Sequence, residues 1–172
     1  MNTTAFEASS TAELIRHIVT VHHEYLRAEI PRVDRLVGTV RNRAATQDDG
    51  EHDRIAALAS RWSELGRELL DHQELEEREL FPAIEAAPEC VSGLGPAAII
   101  ARAAYVDKLE HDHRAILRGL DEVRELANGF ASPEDASPDL HELYRALARL
   151  DEDTRVHLRK ESEALFPRLV SC

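Results

Sequence analysis

The chain has 172 residues but only 7 Gly and 7 Pro, which suits one domain with a hydrophobic core built from long helices. Its 33 acidic and 21 basic residues give a net charge of -12, which argues against nucleic acid and anionic membranes as partners. The two cysteines, Cys90 and Cys172, form no disulfide pattern, and no apolar run has the length of a membrane span or the form of a signal sequence. We expect an all-α cytoplasmic protein.

Residues 1–10 are predicted to be a flexible tail, followed by one domain over residues 11–170. Hydroxyl side chains at residues 9–11 and Glu13 indicate a helix start with a capping box. The first helix should run to about residue 45, with a bend at Pro31, before a polar turn at residues 46–50. Its inward stripe is spaced by threes and fours: Val19, His23, Leu26, Ile30, Val33, Val37 and Val40.

The second helix is predicted over residues 51 to about 87, with a kink or tightening at Phe81-Pro82, and residues 88–96 form a connector. The third runs from about residue 97 to 127 and ends at Asn128-Gly129 in a left-handed cap. The fourth follows Pro138 and ends near residue 169. These elements predict a four-helix bundle with up-down-up-down connections.

An eleven-residue pattern occurs twice, at residues 72–82 and 157–167, an offset of 85 positions (157 minus 72). Both copies have a His, a Glu four residues later, and a Leu-Phe-Pro ending. Each copy also continues an apolar stripe, so that His72 with Glu76, and His157 with Glu161, take the next inward positions. The preceding stripes are Ile55, Leu58, Trp62, Leu65 and Leu69 in one helix, and Leu140, Leu143, Leu147, Leu150 and Thr154 in the other.

The residues at helical spacing from each of the remaining histidines indicate whether it faces the core or the solvent. His113 has apolar residues at the offsets expected of a core face, whereas the same offsets from His111 give a charged face. The same test favours His23 over His22, whose face includes Glu29. We expect the others to lie at or near the surface: His17, His52, His111 and His141.

Six polar residues are therefore predicted to lie in one layer of the core, near mid-height: His23, His72, Glu76, His113, His157 and Glu161. His23 lies 25 positions before residue 48 and His72 lies 24 positions after it, which places both at one level of a helical hairpin. Buried carboxylates require cations, and histidine with carboxylate suits iron or manganese better than a structural zinc. Two metals bridged by two carboxylates fit best; the alternatives are a buried hydrogen-bond network and a site that has lost its metal.

This pattern resembles the hemerythrin-like HHE family, and most closely its bacterial di-iron proteins for repair of iron centres, over about residues 11–170. The resemblance implies an oxo-bridged pair of iron ions held by the four histidines, with Glu76 and Glu161 as bridges, and open coordination for dioxygen, nitric oxide or peroxide. Members often carry a small cysteine-bearing N-terminal domain, whereas this chain begins at the bundle.

Three functions follow as hypotheses, and the first is favoured by resemblance alone. The first is a stress protein that reacts with nitric oxide or reactive oxygen and helps to restore damaged iron-sulfur or di-iron proteins. The second is a reversible binder or sensor of dioxygen or nitric oxide. The third is a di-iron oxidase or peroxidase.

Overall fold

A computed structural model describes residues 10–45, 51–85 and 96–170, which form four long helices. Helix α1 joins Thr11–His17, a π-helical segment Ile18–His23, and Glu24–Ala44. Helix α2 joins Glu51–Leu75, a π-helical segment Glu76–Leu80, and Phe81–Glu85. Helix α3 is Pro96–Leu126, followed by a 3-10 turn at Asn128–Phe130, and α4 joins Pro138–Lys160, a π-helical segment Glu161–Leu165, and Pro167–Val170.

The helix ends follow the capping signals in the sequence. Ser10 is the N-cap of α1, where its Oγ accepts a hydrogen bond from the Glu13 N–H while the Glu13 side chain accepts one from the Ser10 N–H, which confirms the capping box. Asn128 and Gly129 have φ values of 52° and 65°, which confirms the left-handed stop after α3. Ser137 caps α4 by accepting a hydrogen bond from the Leu140 N–H.

The predicted stripes form the core of an all-α four-helix bundle. Each helix packs on two neighbours, with α1 against α2 and α4, and α3 against α2 and α4, as the up-down-up-down connections require. The stripes of α2 and α4 are fully buried, from Ile55 to Leu69 and from Leu140 to Thr154. A second apolar cluster lies beyond them and includes Leu14, Leu80, Leu109 and Leu165. The polar layer therefore lies between two apolar regions that limit the access of water.

The described residues contain three π-helical segments that were not predicted, and all three border the polar layer. The Phe81 N–H donates to the Glu76 carbonyl five residues back, and the Phe166 N–H donates to the Glu161 carbonyl at 2.8 Å. A proline follows each Phe and lacks the backbone N–H that would donate to the carbonyl four residues back. A departure from the α-helical pattern therefore costs little free energy at this point. The helix is therefore widened before Phe81-Pro82 and not tightened there, which corrects part of the prediction.

Several predictions fall on residues outside the described ranges: the tail at residues 1–9, the turn at 46–50, most of the connector at 88–96, and Cys90 and Cys172. Pro31 lies within Glu24–Ala44, which is α-helical on both sides of it, and the bend there stays a prediction.

Candidate metal centre

The structure brings the six predicted residues together, one His from each helix and one Glu from α2 and α4. All six are at least nine-tenths buried, and His23, Glu76 and Glu161 have no exposed surface. Glu76 and Glu161 are the first residues of their π-helical segments, and His23 is the last residue of its own. Wide turns of this kind are frequent at functional sites, because they rotate a side chain out of the regular helical phase.

Two sets of four possible ligands share the two carboxylates. One set is His23, Glu76, His157 and Glu161, and the other is His72, Glu76, His113 and Glu161, with the donor atoms of each set within 4.8 Å of one another. Each pair of histidines combines one residue from each helical hairpin, because His23 on α1 faces His157 on α4 and His72 on α2 faces His113 on α3.

Each carboxylate directs one oxygen to each set. Glu76 Oε2 lies 3.4 Å from His23 Nε2, and its Oε1 lies 3.4 Å from His72 Nε2. Glu161 Oε1 lies 2.8 Å from His157 Nε2, and its Oε2 lies 3.3 Å from His113 Nε2. Each of the two carboxylates therefore contacts both donor sets, one with each of its oxygens.

The spacing of the donor atoms fits a metal ion. Two atoms bound at right angles to one ion at about 2.1 Å lie about 3 Å apart. The neighbouring Nε2 atoms of His23 and His157 are 3.1 Å apart, and the His–Glu distances are similar. Several of these buried atoms have no hydrogen-bond partner, including both nitrogens of His72, both oxygens of Glu76 and Nε2 of His113. Buried polar atoms are rarely left unpaired, so the cluster is suited to a cation.

The protonation states favour metal binding. Burial lowers the pKa of His72 to about 3, and burial together with the neighbouring His157 lowers the pKa of His23 to about 4. Both imidazoles are therefore neutral at neutral pH and offer a lone pair. Burial and the nearby Glu161 carboxylate raise the pKa of Glu76 well above its ordinary value, so a cation beside the two carboxylates would favour the ionised form of both.

Outer contacts hold two of the histidines in place. His23 Nδ1 is 2.7 Å from Glu77 Oε1, and Glu77 also forms an ion pair with Arg27. His113 Nδ1 is 3.1 Å from Ser162 Oγ. Because Glu77 and Ser162 each follow a shared Glu directly, the two copies of the sequence pattern make equivalent contacts with different chemistry.

The Leu-Phe-Pro endings have a role in the same layer. Phe81 stacks on His23 with ring centroids 5.8 Å apart, and Phe166 stacks on His113 at 5.2 Å. Each Phe thus covers the imidazole ring of the neighbouring helix in its hairpin and separates the polar layer from the nearby end of the bundle.

The burial of His22 was not predicted from the sequence. The residue is 2% exposed, with Nδ1 2.9 Å from Asp153 and Nε2 2.7 Å from the Lys160 ammonium group, and its ring stacks on His157 at 5.3 Å. Regular helical phasing allows only one of two adjacent histidines to point inward. The π-helical segment Ile18–His23 changes that phase. In the sequence, Ile15, Ile18 and Tyr25 lie at helical spacing from His22 and were the signal for its burial.

The other histidines lie as predicted. His113 is 2% exposed and belongs to the buried His/Glu cluster, whereas His111 is exposed. His52 is also exposed, and His17 and His141 are half-buried near the surface.

A comparison with known protein families identifies the family to which this chain belongs. The family described as hemerythrin HHE cation binding domain matches residues 14–97 and 104–171, which contain every residue of the cluster. The chain belongs to this hemerythrin family.

Several curated relatives of this chain carry names that refer to repair. A probable iron-sulfur cluster repair protein of Haemophilus influenzae is 28% identical over 164 residues, 95% of this chain and 67% of that protein. The iron-sulfur cluster repair protein YtfE of Pectobacterium atrosepticum is 30% identical over 157 residues, covering 91% and 65%. The iron-sulfur cluster repair protein DnrN of Neisseria gonorrhoeae is 28% identical over 165 residues, covering 96% and 95%. This chain therefore spans about two thirds of the first two relatives and nearly all of the third.

Membership of a hemerythrin cation-binding family and the buried His/Glu cluster together indicate a metal-binding protein. Within the described ranges, none of the helices combines the length and the apolar character that a bilayer span needs.

Proposed function

We propose that this protein holds two iron ions and works in the repair of iron-sulfur or di-iron centres under nitrosative or oxidative stress. His23 and His157 would ligate one ion, His72 and His113 the other, and Glu76 and Glu161 would bridge them. The observation that carries the proposal is the pair of four-atom donor sets that share two carboxylates. An oxo bridge between the ions belongs to the same proposal.

The donor chemistry favours iron. Imidazole and carboxylate without thiolate suit iron or manganese, and two histidines with carboxylate oxygens are a common ferrous arrangement with open coordination positions. When bound, the iron pair would supply redox chemistry and positions for nitric oxide, dioxygen or peroxide. Manganese is the alternative metal that the same donors accept.

The residues around the cluster prepare it for small ligands. The burial of His23 and His72 keeps their imidazoles neutral, and Phe81 and Phe166 exclude water from two of the four rings. Nitric oxide and dioxygen are small and apolar enough to cross such a layer. The names of the relatives point to damaged iron-sulfur proteins as the clients.

The first experiment is metal analysis after anaerobic loading with ferrous iron, where the proposal expects about two irons per chain. The loaded protein is then mixed with a metal-free iron-sulfur protein, sulfide and reductant, and cluster formation is followed by absorption. Faster cluster formation than with the same iron added free supports repair. Iron that stays bound while the client remains empty would contradict it.

Exposure of the reduced protein to dioxygen, nitric oxide and peroxide under optical spectroscopy separates the other hypotheses. A stable adduct that forms and dissociates, with no iron transfer, would replace repair by reversible binding. Continued turnover of peroxide or dioxygen would replace it by an oxidase or peroxidase. The control is Glu161→Gln, which should lose the spectrum in every case.

A further inference from the structure

The two proposed metal positions differ in the support of their ligands. At the first position, formed by His23 and His157, a carboxylate contacts one ring and a second imidazole stacks on the other. Glu77 binds His23 Nδ1 and is fixed in turn by Arg27. His22 lies parallel to His157, with an interplanar angle of 3°, and is held between Asp153 and Lys160.

The second position, formed by His72 and His113, has weaker support. The partner of His113 Nδ1 is the neutral hydroxyl of Ser162, where the equivalent contact in the other hairpin is the Glu77 carboxylate. His72 Nδ1 and His157 Nδ1 are both buried without a hydrogen-bond partner, so the two positions differ in the partners Glu77 and Ser162 and in the His22 ring that stacks on His157. Because a carboxylate partner fixes a ligating imidazole and raises its basicity more than a hydroxyl does, the first position should hold its metal more tightly.

The second position also adjoins an acidic cleft between α2 and α3, with a cavity volume of about 260 Å³. His72 lines this cleft although the residue is only 6% exposed. The acidic cleft is lined by Glu68, Asp71, His72, Leu75, Asp112, Ala115 and Ile116. Arg61 lies 3.6 Å from the Glu68 carboxylate and offsets part of its charge, and the carboxylates of Asp71 and Asp112 add to the negative potential beside His72.

We propose that the metal at His72 and His113 is the exchangeable one, which enters and leaves as a divalent cation through the acidic cleft, while the metal at His23 and His157 stays bound. This inference rests on the proposed two-metal centre and adds which metal is delivered. Acidic residues at a cleft raise the local concentration of cations and speed their association. The buried, unpartnered imidazole at its wall is the first ligand that an entering cation meets.

Metal release separates the two positions. The protein loaded with ferrous iron is mixed anaerobically with excess bipyridine, an uncharged chelator, and the coloured complex is followed with time. We expect two phases of equal size. Glu77→Gln, which keeps the shape but not the charge, should weaken the slowly released metal by about 10–100-fold and leave the fast phase unchanged. Ser162→Ala should affect only the fast phase, and His72→Ala should leave one slowly released metal.

Metal uptake tests the cleft. Protein that retains only the slow metal is mixed with ferrous iron at several salt concentrations. Asp71→Asn with Asp112→Asn should slow uptake several-fold and reduce its salt dependence, because steering by charge is screened by salt. Asp53→Asn with Glu125→Gln is the matched control, with the same change of charge on exposed residues of the same two helices. The control should leave uptake unchanged.

The outcomes distinguish this inference from the proposed function. Two metals that leave at one rate, or a cleft variant that behaves like its control, would overturn the exchangeable position and leave the two-metal centre intact. An equal effect of Glu77→Gln on both phases would show a general structural role and would also overturn it. Fewer than two bound irons in the unaltered protein would overturn the two-metal centre itself.

Discussion

Replacement of the fully buried Glu76 by Gln, or of Glu161 by Gln, removes one negative charge that faces both proposed metal positions. The amide keeps the shape of the carboxylate, so packing around it changes little. In the structure, the two oxygens of Glu76 face His23 and His72 separately, and those of Glu161 face His157 and His113. A single substitution should therefore weaken both metals.

The size of the effect follows from electrostatics. A unit charge about 4 Å from another contributes roughly 4 kcal/mol at an effective dielectric constant of about 20, and a divalent ion feels more. A loss of about 4 kcal/mol lowers affinity roughly a thousandfold for each ion. Metal content should fall from about two per chain towards none, whereas loss of one imidazole, which has one lone pair for one ion, should leave a single weakened metal.

The assay is iron per chain after anaerobic loading and gel filtration, with circular dichroism to confirm that the helices remain. Glu74→Gln is the matched control, because Glu74 lies two residues before Glu76, is exposed and pairs with Arg78 at the surface. The control should retain its iron. One tightly held iron in Glu76→Gln or Glu161→Gln would show that the carboxylate serves one ion and would refute the bridged arrangement.

The remaining predictions concern single residues of the same layer. His113→Ala should lose iron and His111→Ala should keep it, because only His113 is buried in the cluster, and the reverse result in iron analysis would invalidate the phasing of α3. A change from about pH 7 to pH 5 should destabilise the chelator-treated protein by roughly 2 kcal/mol for each of His23 and His72. Their folded pKa values of about 4 and about 3 lie below the ordinary 6.5, so the unfolded state takes up protons first. Because the raised pKa of Glu76 acts in the opposite direction, the His contribution is measured by urea unfolding as the difference in pH dependence between the unaltered protein and His23→Gln or His72→Gln; no difference would contradict the prediction. Phe166→Ala should cost about 3–5 kcal/mol by thermal unfolding, since Phe166 is 2% exposed and packs on His113, and a loss below about 1 kcal/mol would count against that packing.

Helical periodicity was sufficient to predict the bundle and the inward faces of its helices. The stripe from Ile55 to Leu69 continues into His72 because an α-helix repeats every 3.6 residues, and the structure buries that whole face. The same reasoning separated His113 from His111 on a regular helix. The capping box at Ser10 and the left-handed stop at Asn128 are local signals and were equally readable.

Periodicity failed where the backbone leaves the α-helical pattern. His22 is buried beside His23 because the π-helical segment Ile18–His23 shifts the phase of α1, and no residue type marks such a shift. Likewise, Phe81-Pro82 correctly indicated an irregular helix, but it did not indicate whether the helix is tightened or widened there. Proline is compatible with either a kink or a widened turn before it.

The sequence alone determined that six buried N and O donors lie at one level, because that depends on spacing along each helix. Only the tertiary structure decided that His23 faces His157, that His72 faces His113, and that Glu76 and Glu161 face both pairs. Those contacts depend on which helices are neighbours and how each is rotated about its axis. The difference between Glu77 and Ser162 as partners of His23 and His113 became meaningful only then, since a contact between side chains of different helices has no signature in the sequence of either one.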